Sequence, residues 1–167
     1  VTIDPQVILS NSSYLTTYSW TDGKMMESSL HDVGRRKCGN DCTSNRMYMK
    51  LNTSRLPQNA VINKAVLTIY QEAGRHNCSA APKIGLYQVT QPICTGNCTP
   101  VNEADLIDYA MMKPGHVENN YIIEYNFDVT SLLDRISRSD TTCPNLVFKL
   151  VDNCDCESYV SWYGATG

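Results

Sequence analysis

The chain is poor in the groups on which most enzymes rely. Of its 167 residues only three are His, two Phe and two Trp. His31, His76 and His116 are the only histidines, so neutral-pH acid–base chemistry has few carriers. No His-Glu-x-x-His, no G-x-S-x-G and no Gly-rich phosphate loop occurs. No C-x-x-C occurs either, which excludes a thioredoxin-like centre. Glu103 and Asp105 stand two apart at a candidate helix start. A helix dipole explains them better than a glycosidase pair, which needs two carboxyls across a cleft. No apolar run reaches about 18 residues, so no helical membrane span is expected. Positive charge is also in deficit, with 14 Lys and Arg against 17 Asp and Glu. That argues against an electrostatic nucleic-acid partner, for which a basic face would be expected. A non-enzymatic protein is the expectation.

What is abundant is cysteine. Cys38, Cys42, Cys78, Cys94, Cys98, Cys143, Cys154 and Cys156 make an even set. All eight fall outside the strands read below, which suggests disulfides and an oxidising compartment. Four Asn-x-Ser/Thr acceptors, Asn11, Asn52, Asn77 and Asn97, point the same way. Together they predict a disulfide-rich, N-glycosylated extracellular domain, secreted or part of a surface protein. At this length a single domain over 1–167 is expected, burying about 70% of its unfolded-chain surface. No signal peptide opens the chain. Val1 and the closing Gly-Ala-Thr-Gly read as cut ends of a larger secreted protein.

Periodicity indicates strands. Val7–Leu9, Tyr14–Trp20, one short strand within Met25–Val33, Met47–Leu51 and Val61–Tyr70 carry β-branched, aromatic or alternating patterns. So do Ile84–Thr90, Tyr121–Phe127, Leu146–Val151 and Ser158–Tyr163. Leu-Pro-Gln-Asn at 56–59 is a turn, with Asn59 suited to unusual backbone. It suggests that the strands on either side form a hairpin. Glu103–Met112 reads as a short helix capped by Asn102, and Asp128–Ser137 as one or two helical turns. Gly34–Asn45, Ala73–Lys83 and Gln91–Pro100 read as loops. The whole predicts an all-β, antiparallel, jelly-roll-like sandwich with one or two short helical turns.

Cys143 and Cys154 flank one strand of roughly 20 Å. A disulfide needs Cα atoms under about 7 Å apart, so these two should not pair. Strand parity favours a Cys94–Cys98 clip and a bridge from Cys78 to Cys38 or Cys42.

The segment RMYMKLNTSRLP at 46–57, followed by AVINKAVLTIY at 60–70, resembles the DNRLRE-type domain family. LHDVG at 30–34, IGLYQVTQ at 84–91, FDVTSLL at 127–133 and LVFKLVDNCDCESYVSWYG at 146–164 agree in order. These are mainly core and turn motifs, so the resemblance implies a fold: a β-sandwich module of secreted and cell-surface proteins. Some members are classed as carbohydrate-binding modules, which implies recognition of a glycan.

Ten Tyr and two Trp supply the rings that stack on sugar C–H faces. Tyr18 and Trp20 share one strand face and are the leading ligand candidates. Tyr159 and Ser161 share another, opposite Trp162, which reads as core. Arg35 and Arg36, with Lys37 and Arg46 nearby, suit an acidic glycan. Asp152, Asn153 and Asp155 crowd one loop with oxygen donors, the ligand type calcium takes. The function expected is an adhesion or recognition module for carbohydrate or a glycosylated matrix or cell-surface partner. A protein-interaction module without a glycan site, or an accessory domain of an extracellular enzyme, are the alternatives.

Overall fold

The computed structural model describes residues 14–21, 24–27, 30–38, 41–90, 96–97, 103–113, 115–116, 123–140, 144–152 and 157–163. Side chains are described for 32–37, 44–90, 106–113, 123–140, 144–152 and 157–162. The predicted strand Val7–Leu9 lies outside these residues.

The strands in chain order are β1 (Tyr14–Thr21), β2 (Lys24–Glu27), β3 (Leu30–Cys38), β4 (Asp41–Leu51), β5 (Val66–His76) and β6 (Lys83–Val89). They continue with β7 (Gly96–Asn97), β8 (Glu103–Met111), β9 (Gly115–His116) and β10 (Ile123–Asp128). Helix α1 (Thr130–Ser137), β11 (Asn145–Leu150) and β12 (Ser158–Tyr163) complete the described elements. Every strand pairing is antiparallel. Around the core the strands run β8–β6–β11–β4–β3–β12–β5–β10. β10 lies against β8, where the Asp128 N–H donates to Asp108 Oδ2 at 2.6 Å, so the sheet nearly closes on itself. β1, β2 and β7 extend it from β4, and β9 pairs with β5. The all-β expectation holds, in a form between a sandwich and a barrel.

Alternation explains the walls. On β12, Val160 and Trp162 are fully buried, while Tyr159 on the other parity is only half-buried. On β5, Leu67 and Ile69 are buried while Val66 and Tyr70 are exposed. Trp162 packs edge-on against Phe148 with ring centroids 4.9 Å apart, and Phe148 packs against Phe127 at 5.2 Å. Tyr125 lies 5.6 Å from Trp162 and closes the aromatic centre. Edge-to-face pairs of this kind contribute about 0.5–1.5 kcal/mol each beyond buried area. Leu132, Leu133 and Ile136 of α1 join the same core.

Several sequence expectations change, among them the one short strand within Met25–Val33, which is two, β2 and the start of β3. Residues 46–71 do not form a hairpin: β4 pairs with β1, β3 and β11, and β5 with β9, β10 and β12. The link 52–65 instead runs over α1. Asn59 N–H donates to Ser137 O, Ile62 N–H to Asp134 Oδ1, and Ala65 N–H to Thr130 Oγ1. A segment whose amides are satisfied by a helix has no need of a partner strand. The second strand accordingly starts at Val66 rather than Val61, and it runs on to His76 through the expected loop. Asn59 does take a positive φ of 59°, as the turn reading required.

Residues 34–45 are not a loop. They close the β3–β4 pair, with Lys37 opposite Cys42, so two cysteines stand on strands after all. Residues 103–111 are strand β8, not a helix. Ile107 and Ala110 pack on the core, and pairing with β6 satisfies the backbone. Two irregularities in that pairing break the two-residue period, and this hid the strand from periodicity.

Candidate recognition surface

The outer side of β3, β12, β5 and β10 gathers polar and aromatic side chains. Its organising residue is Gly34, at φ +120°. A Cβ there would stand 2.1 Å from the Ser158 carbonyl oxygen and 2.9 Å from Tyr159 Cα. Only glycine permits this close approach of β3 and β12. Asp32, Gly34 and Arg36 share a strand face, and Gly34 lies opposite Tyr159 in register. The bare position lets Arg36 lie back along β3, where Nη1 donates to Asp32 Oδ2 at 2.8 Å. Its guanidinium stands 4.5 Å from the Tyr159 ring centroid. Ser161 Oγ donates to the other Asp32 oxygen. One carboxylate thus holds a hydroxyl and a guanidinium side by side beneath solvent.

Across the sheet Tyr70 is 43% exposed and lies opposite Glu124. Two residues along, Thr68 Oγ1 donates to Asn126 Oδ1 at 2.6 Å. An open phenol ring therefore stands among an amide, a hydroxyl and a carboxylate on a paired sheet. At the end of β10 the Asp128 carboxyl is held below the usual range by the Thr130 hydroxyl and N–H. At the other end Arg75 Nη1 pairs with Glu157 Oε2 at 3.6 Å.

No family model matches the chain, and no curated protein matches it.

Of the residues singled out in sequence, Arg36 belongs to this face and Arg35 does not. Neighbours on a strand point to opposite sides, and Arg35 is half-buried opposite Ser158. The basic cluster is thus divided, and Arg36 is committed to Asp32. Tyr18 and Trp20 lie on β1, in register with Tyr48 and Arg46, and their side chains fall outside the described residues. β1 pairs with β2 and β4, not with the strands that carry Tyr70 and Tyr159. The pairing of Tyr159 and Ser161 opposite Trp162 was visible in the alternation of β12. Tyr70 was overlooked, although Val66, Thr68 and Tyr70 alternate with Leu67, Ile69 and Gln71 in the same way.

Cys78 is disulfide-bonded, and Ser158 Oγ donates to its sulfur at 3.0 Å. The side chains of Cys38, Cys42, Cys94, Cys98, Cys143, Cys154 and Cys156 lie outside the described residues. Lys37 N–H donates to Glu157 Oε1 and Asn77 N–H to Glu157 O, so the ends of β3 and β5 meet at Glu157. Asn77 is exposed there, its Nδ2 3.5 Å from Glu157 Oε2. Asn52 Oδ1 accepts the Ser54 N–H at 3.0 Å. Asn97 lies on β7 with its side chain outside the described residues, as is Asn11 entirely. Asp152 is exposed just after β11, while Asn153 and Asp155 are outside the described residues. Among the described residues, no three His, Cys, Asp or Glu side chains converge as a metal site.

Proposed function

We propose that this chain is an extracellular, non-enzymatic recognition module that binds carbohydrate through the outer face of β3, β12, β5 and β10. The observation that carries the reading is the exposed Tyr70 ring, set between Glu124 and the Thr68–Asn126 pair on a rigid sheet. A sugar presents a C–H face to such a ring and hydroxyls to neighbouring donors and acceptors. The Ser161–Asp32–Arg36 chain beside Tyr159 extends the same chemistry across β12. The bonded Cys78, eight cysteines and four glycosylation acceptors support an extracellular setting. The resemblance at residues 46–70 to DNRLRE-type modules supports glycan recognition. Calcium at Asp152, Asn153 and Asp155 is part of the proposal, as a loop-stiffening ion.

The test is a glycan array probed with the oxidised domain, with and without millimolar calcium. A defined hit should weaken at least about tenfold, or 1.4 kcal/mol, in Tyr70→Ala and less in Tyr159→Ala. Trp20→Ala in parallel decides whether β1 contributes. A blank array from protein with all cysteines bridged sinks the glycan reading. An unchanged melting temperature with calcium sinks the metal.

A further inference from the structure

The outer side of β10 carries Glu124, Asn126 and Asp128 in a row, all exposed, while Tyr125 and Phe127 between them are buried. Glu124 stands opposite Tyr70 and Asn126 opposite Thr68 on β5. The two arginines described on this face each have a carboxylate of their own: Arg36 pairs with Asp32 and Arg75 with Glu157. The Glu124 carboxylate makes no ion pair among the described residues. The Lys113 ammonium comes near, but it donates to the Glu124 main-chain carbonyl at 2.8 Å and lies 5.5 Å from the ring centroid of the inward-facing Tyr125. The carboxylate beside the exposed Tyr70 ring is therefore left to solvent. Asn126 supplies the complementary chemistry. Its Oδ1 accepts the Thr68 hydroxyl, so its NH2 remains as a donor on the same exposed face.

An ionised carboxylate only accepts hydrogen bonds, through two oxygens, and an amide NH2 only donates them. Two adjacent hydroxyls of a sugar ring match the first, and a hydroxyl or ring oxygen matches the second. A carboxylate or sulfate on the sugar would instead stand beside Glu124 and Asp128, and like charges repel. Resting on the glycan reading above, we propose that this face selects uncharged sugars and that Glu124 sets the selection. It accepts two neighbouring hydroxyls of a ring stacked on Tyr70 and turns away sugars that bear an acid group. Arg35 and Arg36, which suggest an acidic glycan in sequence, take no part in this selection.

The oxidised protein is probed on an array holding neutral, uronic, sialylated and sulfated glycans. The hits should be neutral. Each neutral hit is then titrated before and after its primary alcohols are converted to carboxylates, and the carboxylated form should bind at least about tenfold more weakly. Raising salt should narrow that gap, because screening weakens repulsion between exposed charges. This measurement on the wild type needs no variant. Glu124→Gln should weaken the neutral hit about fivefold or more, through loss of charge-assisted hydrogen bonds, and should narrow the gap as well. Glu124→Lys should make the carboxylated form the better ligand. Near-UV circular dichroism of both variants should match wild type, since Glu124 is exposed. Hits confined to acidic glycans, or carboxylated forms that bind as well as their parents, overturn the selection while glycan recognition stands. Neutral hits that Tyr70→Ala abolishes and Glu124→Gln leaves untouched remove Glu124 from the role. A blank array overturns the glycan reading and the selection with it.

Discussion

Gly34 shows how one absent side chain shapes a surface. Its φ of +120° is a region L side chains rarely adopt, and a Cβ would meet the Ser158 carbonyl oxygen at 2.1 Å. Backbone cannot swing aside as a side chain does, so Gly34→Ala must part β3 from β12 or distort both. Strain and overpacking together should cost about 3 kcal/mol or more, a fall of roughly 6–12 °C in melting temperature. Gly74 is the natural control. A Cβ there meets the buried Gln71 side-chain amide at 2.5 Å and backbone, the Lys113 carbonyl oxygen, only at 3.1 Å, and Gly74 does not take the positive φ of Gly34. Gly74→Ala should therefore cost less than Gly34→Ala. Differential scanning fluorimetry of both variants checks the order, and equal shifts would mean that β3–β12 contact does not depend on the bare position.

At the scale of elements, Tyr125 ties three strands together at one buried hydroxyl. From β10 it donates to Gln71 Oε1 on β5 at 2.8 Å and accepts the Lys113 N–H, just past β8, at 2.7 Å. Burial pushes its phenol up to about 12, against a lowering by the Lys113 N–H. Tyr125→Phe removes one partner from each of those groups and should cost about 2 kcal/mol near neutral pH. The pH dependence follows from the raised value. The folded state keeps the proton that the unfolded chain gives up near pH 10. The phenol's contribution is therefore complete below pH 10 and declines as pH rises from 10 through about 12. Denaturant melts of wild type and Tyr125→Phe should converge over that window. A gap constant from pH 8 to pH 12 would show that the hydroxyl titrates normally.

The same scale separates what was legible in sequence from what was not. Strands whose two sides differ in burial could be read directly. Tyr159 alternates with Val160 and Trp162 on β12, while β11 was legible as a short apolar run, Leu146, Val147 and Phe148, buried on both sides, and both emerged with nearly their true bounds. Helix α1 was readable from Leu132, Leu133 and Ile136 on one side. β8 was not, because irregular pairing with β6 removes its alternation and Asn102 and Glu103 imitate a helix start. Pairing partners were illegible too. Nothing local to β4 and β5 states that α1 satisfies the link between them. The neighbourhood of Lys83, Tyr109 and Lys149 was illegible for a related reason: they come from three strands that only the fold brings together.

At the scale of the whole molecule, the state of the cysteines tests how the chain is held and the extracellular setting proposed for it. Cys78 is bonded, and it lies just beyond the junction where β3 and β5 meet at Glu157. If its partner is Cys38 or Cys42, as strand parity suggests, the bridge closes a loop of roughly 40 residues of the unfolded chain. Chain-entropy arguments give about 3–4 kcal/mol for loops of tens of residues. If all eight cysteines are bridged, denatured protein should show no reactive thiol without reductant and eight with it. Reduction should lower the melting temperature well beyond any single substitution above, because several loops are released at once. Peptide mapping without reductant should place Cys78 with Cys38 or Cys42. Digestion with peptide-N-glycosidase should convert Asn52 and Asn77, if glycosylated, to Asp. Eight free thiols in freshly isolated native protein, with unmodified Asn52 and Asn77, would place the chain in a reducing compartment. The proposed glycan-binding face would then lose the extracellular setting proposed for it, while the sheet that carries it would stand on Trp162, Phe148 and Phe127 as before.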